Sequence, residues 1–193
     1  MKKRLVLFLM FIAQFVMAQN KVEDYLHLGS KYRFDNKDYE LVWSSHPASN
    51  FYKQEYILPN ENVEKYTRMI MIDFLEGDLT PKDAISNHVN NLENSKKQNP
   101  IINYQMYERE GEEYMLDFIT SKNSQDGKEV LILERNVYRY FRINTPKRKG
   151  LLIFGVSDRA YTKEEMDNMF LTLENKKYDL VNKVGQIEVP KIK

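Results

Sequence analysis

The side chains able to do acid–base, nucleophilic or metal chemistry are few and scattered along this chain. Its three histidines are His27, His46 and His88. No two stand at a ligand spacing such as i, i+4, so no multi-histidine metal centre is expected. There is no cysteine, which removes thiolate nucleophiles, zinc knuckles, iron–sulfur ligation and a disulfide framework. Trp43-Ser44-Ser45-His46-Pro47 sets hydroxyls beside an imidazole. Neighbours on a strand point to opposite faces, however, and no Gly-x-Ser-x-Gly elbow occurs, so this segment reads as a strand end before a proline. Asp35, Asp38, Asp73, Glu76 and Asp78 offer oxygen donors without the spacing of a calcium helix–loop–helix. Asp126-Gly127 between two apolar runs reads as a hairpin turn. With 28 acidic residues, a carboxylate pair placed for glycoside cleavage cannot be told from chance. No catalytic residue, metal ligand or cofactor is therefore assigned.

One stretch combines charge with aromatic surface. Arg135, Arg139 and Arg142 run amid Tyr138, Tyr140 and Phe141, with Lys147-Arg148-Lys149 just beyond. On a strand, Tyr138, Tyr140 and Arg142 share one face, and Arg with Tyr is the composition enriched at recognition surfaces. These three are the candidate binding residues, and the basic neighbourhood suits an envelope protein or an anionic ligand such as a lipid or glycan. The competing reading packs both tyrosines beneath a helix with only their hydroxyls wet.

The elements that must position such a site are legible from composition and periodicity. The chain has 193 residues, 29 basic against 28 acidic, with 42% hydrophobic and 12% aromatic residues. That composition fits a globular domain with its own core. A net charge of +1 excludes an electrostatically driven nucleic-acid binder. Met1-Lys2-Lys3-Arg4, the apolar run 5–17 broken only by Gln14, and Val16 and Ala18 at the −3 and −1 positions make a secretory signal peptide over residues 1–18. The run is shorter than the roughly 20 apolar residues of a membrane span, so no stable span is expected after cleavage. The exported chain, periplasmic or extracellular, keeps 26 basic residues once Lys2, Lys3 and Arg4 are gone, against 28 acidic.

Residues 19–36 are polar with scattered aromatics and read as a leader draped over the domain; a single domain is expected over 37–177, and the tail 178–193 has no assignment. Strand-like stretches cover 39–43, 52–58 and 66–75, the last apolar on both faces as a central strand is. In the second, Tyr52, Gln54, Tyr56 and Leu58 share a face. Thr80-Pro81-Lys82-Asp83 opens an amphipathic helix with Ala84, Ile85, Val89 and Leu92 on one stripe, closed by Asn99-Pro100. Strands over about 101–108, 113–120, 129–143 and 150–157 follow with short loops, which force antiparallel neighbours. A bulge is expected near Glu134–Asn136, because Leu131 and Leu133 share a face with Arg135. Thr162-Lys163-Glu164-Glu165 forms a capping box for a second helix over 163–176, with Met166, Phe170 and Leu173 inward. The fold class is thus α+β: an antiparallel sheet of about six to seven strands with two packed helices.

This order of elements over roughly residues 37–176 resembles the Mog1/PsbP-like α/β/α sandwich, which includes the DcrB-like bacterial envelope proteins. Gln54-Glu55-Tyr56-Ile57-Leu58-Pro59-Asn60-Glu61 followed by Tyr66-Thr67-Arg68-Met69, and Glu134-Arg135-Asn136-Val137-Tyr138-Arg139-Tyr140, are similar to a pattern of uncharacterised secreted bacterial proteins. The resemblance implies a binding or accessory subunit without catalysis. A small secreted hydrolase, its site assembled from residues distant in sequence, is the alternative.

Overall fold

A computed structural model of the protein describes residues 22–192, so the expected signal peptide lies outside the described residues. The described chain is α+β, with one eight-stranded antiparallel sheet and two helices. The strands are β1 Lys31–Phe34, β2 Lys37–Ala48, β3 Phe51–Ile57, β4 Arg68–Glu76, β5 Asn103–Arg109, β6 Glu113–Asn123, β7 Val130–Asn144 and β8 Lys149–Ala160; the helices are α1 Pro81–Lys96 and α2 Lys163–Gly185. The count corrects the expected six to seven strands. The sheet order is β1-β2-β3-β4-β8-β7-β6-β5, so two meanders of four strands meet where β4 pairs with β8. Helix α1 carries the chain from β4 in the middle to β5 at the far edge, lying over β6 and β7 on the way.

Period-two alternation gives each central strand two buried faces. On β4, Ile70, Ile72 and Phe74 enter the larger core with Phe154, Val156, Val137 and Phe141 from β8 and β7. This face is covered by the second half of α2, through Leu180, Val181 and Val184, and by Leu26 from the segment before β1. On the opposite face, Ile85 and Leu92 of α1 pack on Leu116, Phe118, Tyr140 and Leu151. Thr80 caps α1 by accepting from the Asp83 amide, and Thr162 and Glu165 form the expected capping box of α2.

Four expectations are corrected. Residues 19–36 are not merely a draped leader: Leu26 is fully buried, and 31–34 form an edge strand turned by Asp35 and Asn36, both at positive φ. Gln54 fixes this segment, accepting from the Leu26 amide at 2.7 Å and donating to Asp24 Oδ1 at 3.0 Å. Residues 178–185 continue α2, so 37–177 undercuts the folded unit at both ends. No bulge falls at 134–136, where β7 stays in unbroken register with β8; the irregularity lies near Lys122–Asn123. Arg135 is tolerated in the buried row because its Nε and Nη2 lie 3.1 and 2.9 Å from the two oxygens of Asp117. Finally, Phe170 is 47% exposed rather than inward. Helix α2 kinks at Lys176 (φ −139°, ψ 28°), and only beyond the kink does its apolar stripe reach the main core.

Candidate functional site

Helix α1 covers β6 and β7 but not the full width of the sheet, and the space left over β3, β4 and β8 is a cavity of about 430 Å³. Register fixes its floor. Lys53, Asp73, Ile153 and Tyr140 stand in one row across β3, β4, β8 and β7, and Met71 and Tyr138 line the cavity from the next row, which also holds Glu55 and Gly155 outside the lining. Helix α1 supplies the other wall through Ala84, Asn87, His88 and Asn91, a stripe at i, i+3, i+4, i+7 beside the buried one of Ile85 and Leu92. Gly155 is required: a Cβ there would stand 2.8 Å from Cε1 of Tyr138 and 3.1 Å from Cε of Met71. Its absence lets the Tyr138 ring lie across β8 as part of the wall.

The polar groups of the cavity are set mostly against one another. Lys53 Nζ lies 2.8 Å from Asp73 Oδ2. Asp73 is 7% exposed, and its Oδ1 is buried with no hydrogen-bond partner among the described residues. Burial pushes the Asp73 carboxyl above the usual carboxylate range, and the Lys53 ammonium opposes that shift. His88 Nδ1 lies 2.6 Å from the Tyr140 hydroxyl, a hydrogen bond whose donor depends on the imidazole tautomer. Burial lowers the His88 pKa, favouring the neutral ring. The His88 ring also meets Phe118 edge-on at 4.8 Å. Beside the cavity on the same face, Glu134 accepts from Arg159 Nε, from the Tyr66 hydroxyl and from Asn136 Nδ2. The Glu55 carboxyl is raised by burial. A concave space with aliphatic and aromatic walls and a few fixed polar groups is the form of a small-molecule binding site. Among the described residues, no group of three or more His, Asp or Glu is placed to hold a metal ion.

A protein-family model matches residues 26–189. The chain belongs to that family. No curated protein and no solved structure matches it. The matched span begins at buried Leu26 and ends at Val189, which packs against the main core, so the family unit includes both segments outside 37–177.

The three sequence-derived candidates share a face, but it is not an open one. Tyr138 is half-buried and lines the cavity. Tyr140 also lines it but is 1% exposed, with its hydroxyl on His88. Arg142 stands outside the lining: its Nη1 donates to the Leu79 carbonyl at 2.9 Å, holding the approach to α1. The arginines that suggested an anionic ligand are committed internally. Arg135 pairs with Asp117, Arg139 pairs with Glu113 at 2.6 Å and donates to the Gly185 carbonyl at the end of α2, and Arg148 pairs with Glu76. Among the histidines, His46 stacks on Tyr52 at 4.2 Å at the end of the β2–β3 hairpin, away from the cavity. Lys53, Asp73 and His88 are the site residues that motif reasoning passed over. A usable signal was present in β4, where Asp73 is the single acid in the apolar run 69–74.

Proposed function

We propose that this is an exported binding or accessory protein of the bacterial envelope, acting without catalysis, whose ligand seats in the cavity beneath α1. One observation carries the binding part: the floor of that cavity holds Asp73, a buried carboxylate with one oxygen that meets no donor. A buried polar atom left without a partner costs about 1–3 kcal/mol, a cost that a ligand supplying the missing bond would recover. Export rests on the basic and apolar N-terminal run ending at Ala18. Among the described residues no helix is long and apolar enough to cross a membrane. The Mog1/PsbP-like reading draws support from helices on both faces of one antiparallel sheet. Native mass spectrometry of the protein taken from its own envelope tests the proposal. A retained small molecule is expected in the wild type and not in Ala84→Phe, which fills the cavity from α1; an unliganded wild type indifferent to that change counts against it. N-terminal sequencing that finds Met1 retained would remove the export part.

A hydrolase is the second reading, and the observation in its favour is that Asp73 and His88 line the same cavity from β4 and α1. A neutral imidazole can serve as a general base. If so, the molecule recovered would be a cleavage product, and His88→Ala would retain it uncleaved.

A further inference from the structure

The cavity also says what kind of ligand fits, and this step rests on the binding reading above. Asp73 and Lys53 are the charged pair among its lining residues, and the sheet face beside them adds more carboxylate than cation. Asp73, Glu55 and Glu134 lie on this face of the sheet with Lys53 and Arg159. Arg159 is bonded to Glu134 and acts on Glu55 less strongly than Lys53 does. Lys53 reaches Asp73 Oδ2 at 2.8 Å, with its ammonium 5.3 Å from the centre of the Phe51 ring. Glu55 makes no ion pair or hydrogen bond among the described residues, although it stands one row from Asp73 on the neighbouring strand. Diagonal neighbours of this kind lie about 7–8 Å apart, so the two carboxylates repel each other and share too little positive charge. Asp73 is more than nine-tenths buried and its Oδ1 lacks a donor. The walls around it include the apolar Met71, Leu151 and Ile153 and the Tyr138 ring.

From this we infer that the cavity binds a protonated organic amine, its N–H group donating to Asp73 Oδ1 and its apolar body lying against Met71, Leu151, Ile153 and the face of Tyr138. Three features select this class. An ammonium supplies both the missing donor and the missing charge, and charge-assisted hydrogen bonds are about twice as strong as neutral ones. The aliphatic and aromatic walls suit the apolar body of such a molecule. A carboxylate-bearing ligand, by contrast, would meet Asp73, with Glu55 beyond it, and find Lys53 already engaged.

Three probes of matched shape separate the possibilities: phenethylamine, 2-phenylethanol and 3-phenylpropionate, titrated calorimetrically into the full exported chain at neutral pH. The amine is expected to bind at least about tenfold more tightly than the other two, as a charge-assisted bond to a buried carboxylate requires. Asp73→Asn should erase that preference. Lys53→Met should act in the opposite direction, tightening amine binding several-fold by removing the competing ammonium, and it decides the matter even if Asp73→Asn fails to fold. Equal binding of amine and alcohol, no gain in Lys53→Met, or a preference for the carboxylate would overturn the amine assignment while leaving cavity binding intact. No binding by any probe, with no retained ligand in the native protein, would overturn both.

Discussion

The two faces of this sheet are built from the same strands and do different work. The face beneath α2 is closed by three separate pieces of chain: residues 26–34, the second half of α2 and the residues that follow it. The face beneath α1 is closed by one helix, which covers β6 and β7 and leaves β3, β4 and β8 bordering a cavity. On β4 the division runs residue by residue: Ile72 and Phe74 are fully buried on one side, and Asp73 between them looks out on the other. A strand's period of two thus lets one segment anchor the core and furnish a polar floor. Stability and ligand capacity can be altered separately here, because they lie on opposite faces.

The largest effect should come from the closed face. Phe154→Ala, in the centre of β8, is expected to cost about 3–5 kcal/mol in urea unfolding. A loss under about 1 kcal/mol would mean that this face is no better packed than the other. Leu92→Ala acts under α1, next to a region that can relax into the cavity, and should cost about 2–3 kcal/mol. Equality with Phe154→Ala would break the asymmetry, and a change below about 0.5 kcal/mol would put Leu92 on the surface. A pH series sharpens the contrast further. The His88 pKa is lowered by burial below its unfolded value of 6.5, so its contribution is whole above that value and is lost as pH falls through 6.5 toward the folded pKa. Melting temperatures of wild type and His88→Gln should therefore run parallel above pH 7 and converge on acidification, the wild type falling faster. Parallel curves throughout would show that the imidazole titrates freely. The smallest effect belongs to Phe170→Ala, within about 0.5 kcal/mol of wild type, because its side chain is largely in solvent.

Local pattern carried most of the architecture. Alternation located β3 and β6, a run apolar on both faces located β4, Thr80-Pro81 and the Thr162–Glu165 box located both helix starts, and Leu92 faces inward as its spacing requires. What escaped was set at longer range. Lys31-Tyr32-Arg33-Phe34 is too short and polar to announce a strand, although Asp35-Asn36 carries the hairpin chemistry that turns it. The second half of α2 was hidden by the break at Lys176, whose neighbour Lys177 gives its carbonyl to Arg135. The site divides in the same way. Tyr138 and Tyr140 could be placed on one face from strand phase alone. Lys53, Asp73 and His88 line one cavity only because β3 pairs with β4 in one register and α1 crosses β6 and β7 beside them, and neither fact is written in a local window.

The position of β8 has a consequence for how the chain reaches this state. Arg68 of β4 pairs with Asp158 of β8, ninety positions later, and every pairing between the two meanders waits for that last strand. Until β8 arrives, the first meander presents β4 as an open edge carrying Ile70, Ile72 and Phe74, the kind of edge that templates association with other chains. Closure over so long a loop is slow relative to hairpin formation. Pairing of a neighbouring chain along β4 would compete with insertion of β8, and shielding β4 would favour the native pairing.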